Sequence, residues 1–365
     1  MGSKRSRDPR GLEHDPLSRA ELAQQLLRHR LNASKVAGVM RNSSDVTRRS
    51  CETELQKYSK IETPYGAVTS PICLDTVNGQ QMQKFVNNPF ALLWAASAVQ
   101  PKFGSFLMRH TRGQATIAFY TDETTPGNNL RPDKGRSYEA LLWTIAELPE
   151  FFRQRKHGWF KYGYMLSNTL KHIRGGMSAI VKAMLLNFFS KDVNEFNFKT
   201  AGLRVPTETD VLAHIRADSI FFIEDEKACK IGFDVKGASG CKCCFSCQAV
   251  CGAQLHPPEG SYFVRHDEPD RSKWDPHTIE TIKACIKAVD DAKDTGALKE
   301  VETNIGFNYS PYGPLWDPYL VDLLSPPHCH YWDAMHCLYS SGGVAQFQTN
   351  AYIYWLTKAR WTAPA

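Results

Sequence analysis

No unbroken apolar run in the 365 residues approaches the roughly 18 that a membrane-crossing helix needs, and mean hydropathy is −0.40. A membrane partner is therefore not expected. The opening Met1-Gly2-Ser3-Lys4-Arg5-Ser6-Arg7-Asp8-Pro9-Arg10 is charged with no apolar stretch behind it, so it lacks the form of a secretory signal. Neither a Walker-type phosphate loop nor a Gly-x-Gly-x-x-Gly turn is present, which argues against a nucleotide cofactor. No repeat of fixed period is visible. Acid is missing from the end of the chain, where residues 337–365 contain neither Asp nor Glu.

What is present leaves several classes open. A hydrophobic content of 42% can build a substantial core, in one large domain or two ordinary ones. The net charge of +6 permits a nucleic-acid partner without requiring one. Lys4, Arg5, Arg7 and Arg10 suit a nuclear import patch or a phosphate-binding arm, and equally a solvated, disordered tail over residues 1–16.

Eleven cysteines in a chain without an export signal point to metal rather than to disulfides. Cys241, Cys243, Cys244, Cys247 and Cys251 are clustered, and Cys244 and Cys247 form a Cys-x-x-Cys whose thiolates can converge on a tetrahedral Zn²⁺. A structural site needs four ligands. Cys251 and His256 are near in sequence; His328, His330 and His336 are distant. Cys51, Cys73, Cys229, Cys285 and Cys337 read as ordinary buried small residues.

Hydrophobic periodicity predicts a helix over 17–32, a Ser/Thr/Arg-rich link over 42–54 and a helix over Pro89–Val99. Strands follow at 115–121, 138–147 and 159–167, then a helix at 177–189, a strand at 202–205, a helix at 208–217 and a strand ending at Asp225. A helix over 276–292 has Asp275 as its expected cap, and a shorter one spans 295–305. Two of these strands run into acids: the first into Asp122 and Glu123, the last into Glu224, Asp225 and Glu226. Turns favour Asp for local reasons, so neither junction is informative alone. Together, two carboxylates at the ends of separate strands are what a fold needs to hold Mg²⁺ for phosphodiester chemistry.

The segment Tyr120-Thr121-Asp122-Glu123-Thr124-Thr125-Pro126-Gly127-Asn128-Asn129-Leu130, with Trp143-Thr144-Ile145-Ala146-Glu147-Leu148-Pro149 behind it, resembles DDE-type transposases of the CACTA and Plavaka-like groups. Asp225-Glu226, followed by Lys236-Gly237-Ala238-Ser239-Gly240 and Cys244-Phe245-Ser246-Cys247, is similar to those groups' second Asp, Gly/Lys-rich turn and Cys-x-x-Cys. Asp333-Ala334-Met335-His336 resembles their Cys/Asp-x-x-His signature. The likeness spans residues 60–345, and the order of the motifs carries it rather than any one of them.

The resemblance implies an α/β, RNase H-like mixed sheet with a Cys-rich, helical insertion and a mostly helical N-terminal region. The expected divisions are a disordered basic tail (1–16), a mixed, mainly helical region (17–110), the core (111–240), the insertion (241–327) and a C-terminal helical element (328–365). It also implies two Mg²⁺ ions, with Asp122 bridging and Asp225 holding the second, while Glu123 and Glu226 point away and Glu224 is the fallback if the register slips. Structural Zn²⁺ on Cys244 and Cys247 would draw on the distant histidines, His336 first. DNA, self-association and a nuclear location follow from the same likeness. The departure lies beyond His336, where a third acid is due: Gln346, Gln348, Asn350, Lys358 and Arg360 stand there instead. A neutral amide withdraws charge that Mg²⁺ needs, so the expectation is a truncated or degenerate transposase relative that is inactive alone. The competing expectation is a zinc-stabilised, non-catalytic scaffold or regulatory interaction protein.

Overall fold

Turns and caps organise the first part of the fold. The computed structural model describes residues 62–124, 137–155, 158–209, 211–242, 246–250, 270–324 and 329–332. Strands β1 (Glu62–Thr63) and β2 (Gly66–Ala67) close a small hairpin, and β3 (Thr69–Asp75) pairs antiparallel with β4 (Gln81–Asn87). Asn88 starts α1 (Pro89–Val99): its Oδ1 accepts from the amides of Phe90 at 3.0 Å and Ala91 at 3.2 Å, and Pro89 fills a position that needs no amide. Helix α2 (Pro101–Thr111) ends where Arg112 and Gly113 take positive φ, 52° and 88°, and that turn delivers the chain into β5 (Gln114–Thr124).

After β5 come β6 (Tyr138–Ile145), the single-turn α3 (Glu150–Arg153), β7 (Phe160–Leu166), the single-turn α4 (Ser167–Leu170), α5 (Gly176–Phe189), β8 (Leu203–Val205), β9 (Ala213–Glu224) and α6 (Glu226–Phe233). Helices α7 (Ile279–Asp291), α8 (Leu298–Ile305) and α9 (Pro318–Leu324) precede β10 (His330–Trp332). The main sheet has the order β10-β9-β5-β6-β7, with β8 pairing antiparallel to the start of β9. β5, β6 and β7 are antiparallel neighbours, whereas β9 runs parallel to β5 and β10 parallel to β9. The fold is thus α/β with a mixed sheet. No helix among the described residues is long and apolar enough to cross a membrane.

The core lies between this sheet and α5. β5 is rich in the β-branched and aromatic residues that suit a pleated surface. Ile117, Ala118 and Phe119 are buried in succession, as expected of a strand covered on both faces. Ile180, Val181, Met184, Leu185 and Phe188 form the buried stripe of α5. Phe188 stands edge-on to Phe119 at 5.2 Å and to Trp143 at 5.1 Å. Burying each such ring is worth about 1.5–3 kcal/mol.

One irregularity in β9 decides which residues face this core. Ala115 pairs with Ala217 but Thr116 pairs with Ser219, so Asp218 is an unpaired bulge residue. Before it, Ala213, Ile215 and Ala217 are buried; after it, Ile220, Phe222 and Glu224 take over. A one-residue slip exchanges the faces of a strand, and the bulge performs that exchange inside a single strand.

Several expectations need correction. The helix expected over 208–217 does not form; from Ala213 the chain alternates buried and outward positions at the strand period, and β9 pairs with β8 there. Helix α7 is capped by Thr278, in a reciprocal box with Thr281, rather than by Asp275. Cys73 is exposed on β3 and Cys285 is half-buried, so neither is a core residue. The hairpin β3–β4, α2, α6, α9 and β10 fall outside the sequence expectations. The expected tail, the 17–32 helix and residues 333–365 lie outside the described residues.

Gly104 gives a test of the packing. It sits inside α2, where a Cβ would lie 1.9 Å from the carbonyl oxygen of Pro206. Gly to Ala inside an exposed helix normally stabilises by about 1 kcal/mol. Here the sign reverses, and Gly104→Ala is expected to destabilise by roughly 1–3 kcal/mol, the usual range for overpacking. A lowered urea-unfolding midpoint checks this; an unchanged or raised midpoint contradicts the α2–Pro206 contact.

Candidate functional site

Acidic and metal-ligating side chains gather at the C-terminal ends of β5 and β9, on the two faces of the sheet. The last paired positions of these parallel strands are Tyr120 and Ile223. Asp122 and Asp225 each stand two residues further on. Asp122 is half-buried and pairs with Ala140 of β6. Asp225 is the N-cap of α6: its Oδ1 accepts from the amide of Ala228 at 2.6 Å, which satisfies an orphan helix donor and fixes the carboxyl group.

Glu123 and Glu139 are directly opposite each other on β5 and β6, and so share the other face. Glu123 is ion-paired with Lys227 of α6 and accepts from Ser167 Oγ at 3.3 Å. The bond from Lys227 holds the Glu123 carboxyl below its ordinary range. Glu139 is buried, and burial is the main reason its carboxyl rises to about 7; the charges of Glu123, Asp122 and Asp225 push the same way against Lys227. Four acids, from β5, β6 and the start of α6, are therefore electrostatically linked at one end of the sheet.

Deeper on the core face is a second group. Glu224 is 2% exposed, with Oε1 at 3.5 Å from Thr121 Oγ1 and Oε2 at 3.2 Å from His330 Nδ1. Potential ligand atoms of Glu224, Cys229 and His330 all lie within 4.8 Å of one another, so this trio could hold a metal ion. The His330 ring stacks on Phe222 at 5.4 Å and meets Phe233 edge-on at 4.5 Å. Burial disfavours the imidazolium, but the neighbouring Cys329 and Glu224 outweigh it and raise His330 to about 10.

The sequence-predicted residues are thus distributed unevenly. Asp122, on β5, and Asp225, just past the end of β9, each follow the last β5–β9 pair by two residues, and Cys247 is buried in a β-bridge with Pro276. Cys244, Asp333 and His336 lie outside the described residues, so a zinc site built on them is not placed. His330, considered above as a distant partner for the Cys-x-x-Cys, sits instead against Glu224 and Cys229. Cys229 is buried as expected, and it is one of three residues that could hold a metal ion together. Its link to Glu224, across a strand end and the first turns of a helix, leaves only a five-residue spacing in the sequence, and His330 is far removed. Glu139 carried no signal, because only strand register puts it opposite Glu123.

Compared with known proteins, the chain matches no family model and no curated relative.

Glu139 yields a pH prediction with a definite sign. Its folded-state value of about 7 lies above the ordinary 4.5. The unfolded chain therefore releases this proton first, and stability falls as pH rises from about 4.5 through about 7. Glu139→Gln removes the effect. In chelator, the variant is expected to match the parent near pH 4.5 and to exceed it on the order of 1–3 kcal/mol above pH 8. Thermal midpoints across this range decide it, and a difference independent of pH would contradict the linkage.

Proposed function

We propose that the chain is a transposase-derived, nuclear DNA-binding protein on an RNase H-like core, carrying the remains of a two-metal phosphodiester site and not cleaving DNA by itself. The observation that carries this reading is that Asp122 and Asp225 each stand two residues beyond Tyr120 and Ile223, the last pair of the parallel strands β5 and β9. Two carboxylates so placed could share Mg²⁺ ions roughly 3.5–4 Å apart, activating the attacking oxygen and stabilising the leaving one. The order of three antiparallel strands, a helix and then a strand parallel to the first is also what the RNase H-like reading expects. Zinc on Cys244, Cys247 and His336, contact with DNA phosphates through a net charge of +6, and self-association belong to the same proposal.

One feature favours loss of cleavage. Lys227, paired with Glu123 and acting on Glu139, supplies a cation beside acids that metal ions would otherwise balance. The same ion pair, with the capping role of Asp225, favours as second reading a zinc-stabilised scaffold in which these carboxylates are purely structural.

Fluorescence anisotropy of the full chain with duplex DNA separates the two. Binding is expected to weaken at least about tenfold between roughly 50 and 200 mM salt, as counterion release requires. No cleavage is expected in Mg²⁺ or Mn²⁺. Absent or salt-insensitive binding would leave the scaffold reading, and cleavage abolished by Asp122→Asn would overturn the inactivity.

A further inference from the structure

We propose that Glu224, Cys229 and His330 form a structural Zn²⁺ site that ties β10 and α6 to the end of β9. The inference is independent of the DNA-binding reading and uses none of the residues assigned there to zinc. It rests first on geometry. Three side chains from three elements bring ligand atoms within 4.8 Å of one another, and one carboxylate–imidazole separation is 3.2 Å. Zinc bond lengths of about 2.0–2.3 Å place tetrahedral ligand atoms about 3.3–3.8 Å apart, so a small inward movement closes the trio on one ion.

Chemistry selects the metal. A thiolate, an imidazole and one carboxylate suit Zn²⁺, whereas Mg²⁺ and Ca²⁺ require several oxygen ligands and this trio brings one carboxylate. Charge agrees, because a thiolate and a carboxylate together neutralise a divalent ion in a place where net charge is disfavoured. A closed structural site takes four ligands. Cys329 is 2% exposed and its side chain interacts with His330, which makes its sulfur a candidate for the fourth.

The fold gives the ion a task. β10 pairs with β9 from His330 to Trp332, three positions among the described residues. A zinc bond at its first residue would anchor it beside Phe222 and Phe233.

The test uses the full chain carrying Cys244→Ser and Cys247→Ser, which removes the sequence-predicted zinc motif. The probes are Zn²⁺ content after purification and titration with Co²⁺. One bound equivalent is expected, with a sulfur-to-cobalt charge-transfer band, and both are expected to be lost on adding Cys229→Ser. A parent that takes up neither metal, or a Cys229→Ser protein with undiminished metal content, overturns the proposal. Should Cys229→Ser fail to fold, peptide-resolved alkylation of the parent substitutes for it. Cys229 is expected to react at least about tenfold more slowly with zinc than after chelation, since a metal-held thiolate is shielded. Equal rates overturn the proposal. Failure of DNA binding would leave all of these outcomes unchanged.

Discussion

The parallel pairing of β5 with β9 constrains everything else in this molecule. Parallel neighbours cannot be joined by a tight turn, so the chain between them must travel out and back. It does so through the antiparallel strands β6 and β7 and the buried helix α5, and this excursion supplies a large share of the core, including Trp143 and Phe188. The same pairing sets the two acidic strand ends side by side. The bulge at Asp218 then decides their chemistry. With it, Phe222 and Glu224 face α5; without it, Ile223 and Asp225 would. A charged Asp225 would then lie in an apolar core, where only neutralisation or a paired cation would make it tolerable.

Adjacent residues thereby acquire opposite surroundings. Glu224 is sealed behind Phe222 and His330 and has little water to answer its charge. Asp225, one peptide bond further on, is half-buried at a helix N-terminus, where the backbone amides and the macrodipole favour an anion. Glu123 and Glu139 differ in the same manner despite being cross-strand partners. Glu123 has Lys227, whereas Glu139 has burial and three like charges nearby. Environment, more than residue type, separates acids suited to hydrated divalent ions from one suited to a desolvated, borderline-soft ion.

Much of the sheet was legible from period and composition, because β5, β6 and β7 are long apolar runs bounded by turn residues. The stripe on α5 was legible for the same reason, and Pro89 after Asn88 marked the start of α1. What remained hidden depends on contacts distant in sequence. The bulge at Asp218 has no local signature, and the stretch 208–217 carries Glu208 at a position that reads as a helix start. Its strand form is chosen by β8, which pairs with Ala213, His214 and Ile215. At the site, Asp122 and Asp225 were visible because strand ends advertise acids. Cys229 was not, since a single cysteine reads as a small packing residue until His330 arrives beside it. Glu139 needed register, which a one-residue error would have inverted.

Helix α6 links the two groups of side chains, and its position is fixed at both ends. Asp225 caps the N-terminus. At the other end Asp234 takes the left-handed conformation, φ 57°, and its carbonyl accepts from the amide of Asn308 at 2.8 Å. The Asp234 side chain accepts from Ser178 at the start of α5, while burial raises its carboxyl to about 6. The helix is therefore clamped to α5 and to the segment after α8. Between those clamps it presents Cys229 inward and Lys227 outward, two residues apart on different faces. A shift of α6 by a fraction of a turn would move the thiol away from Glu224 and the ammonium away from Glu123 together. The inner trio and the outer acid cluster therefore both depend on where this one helix is placed.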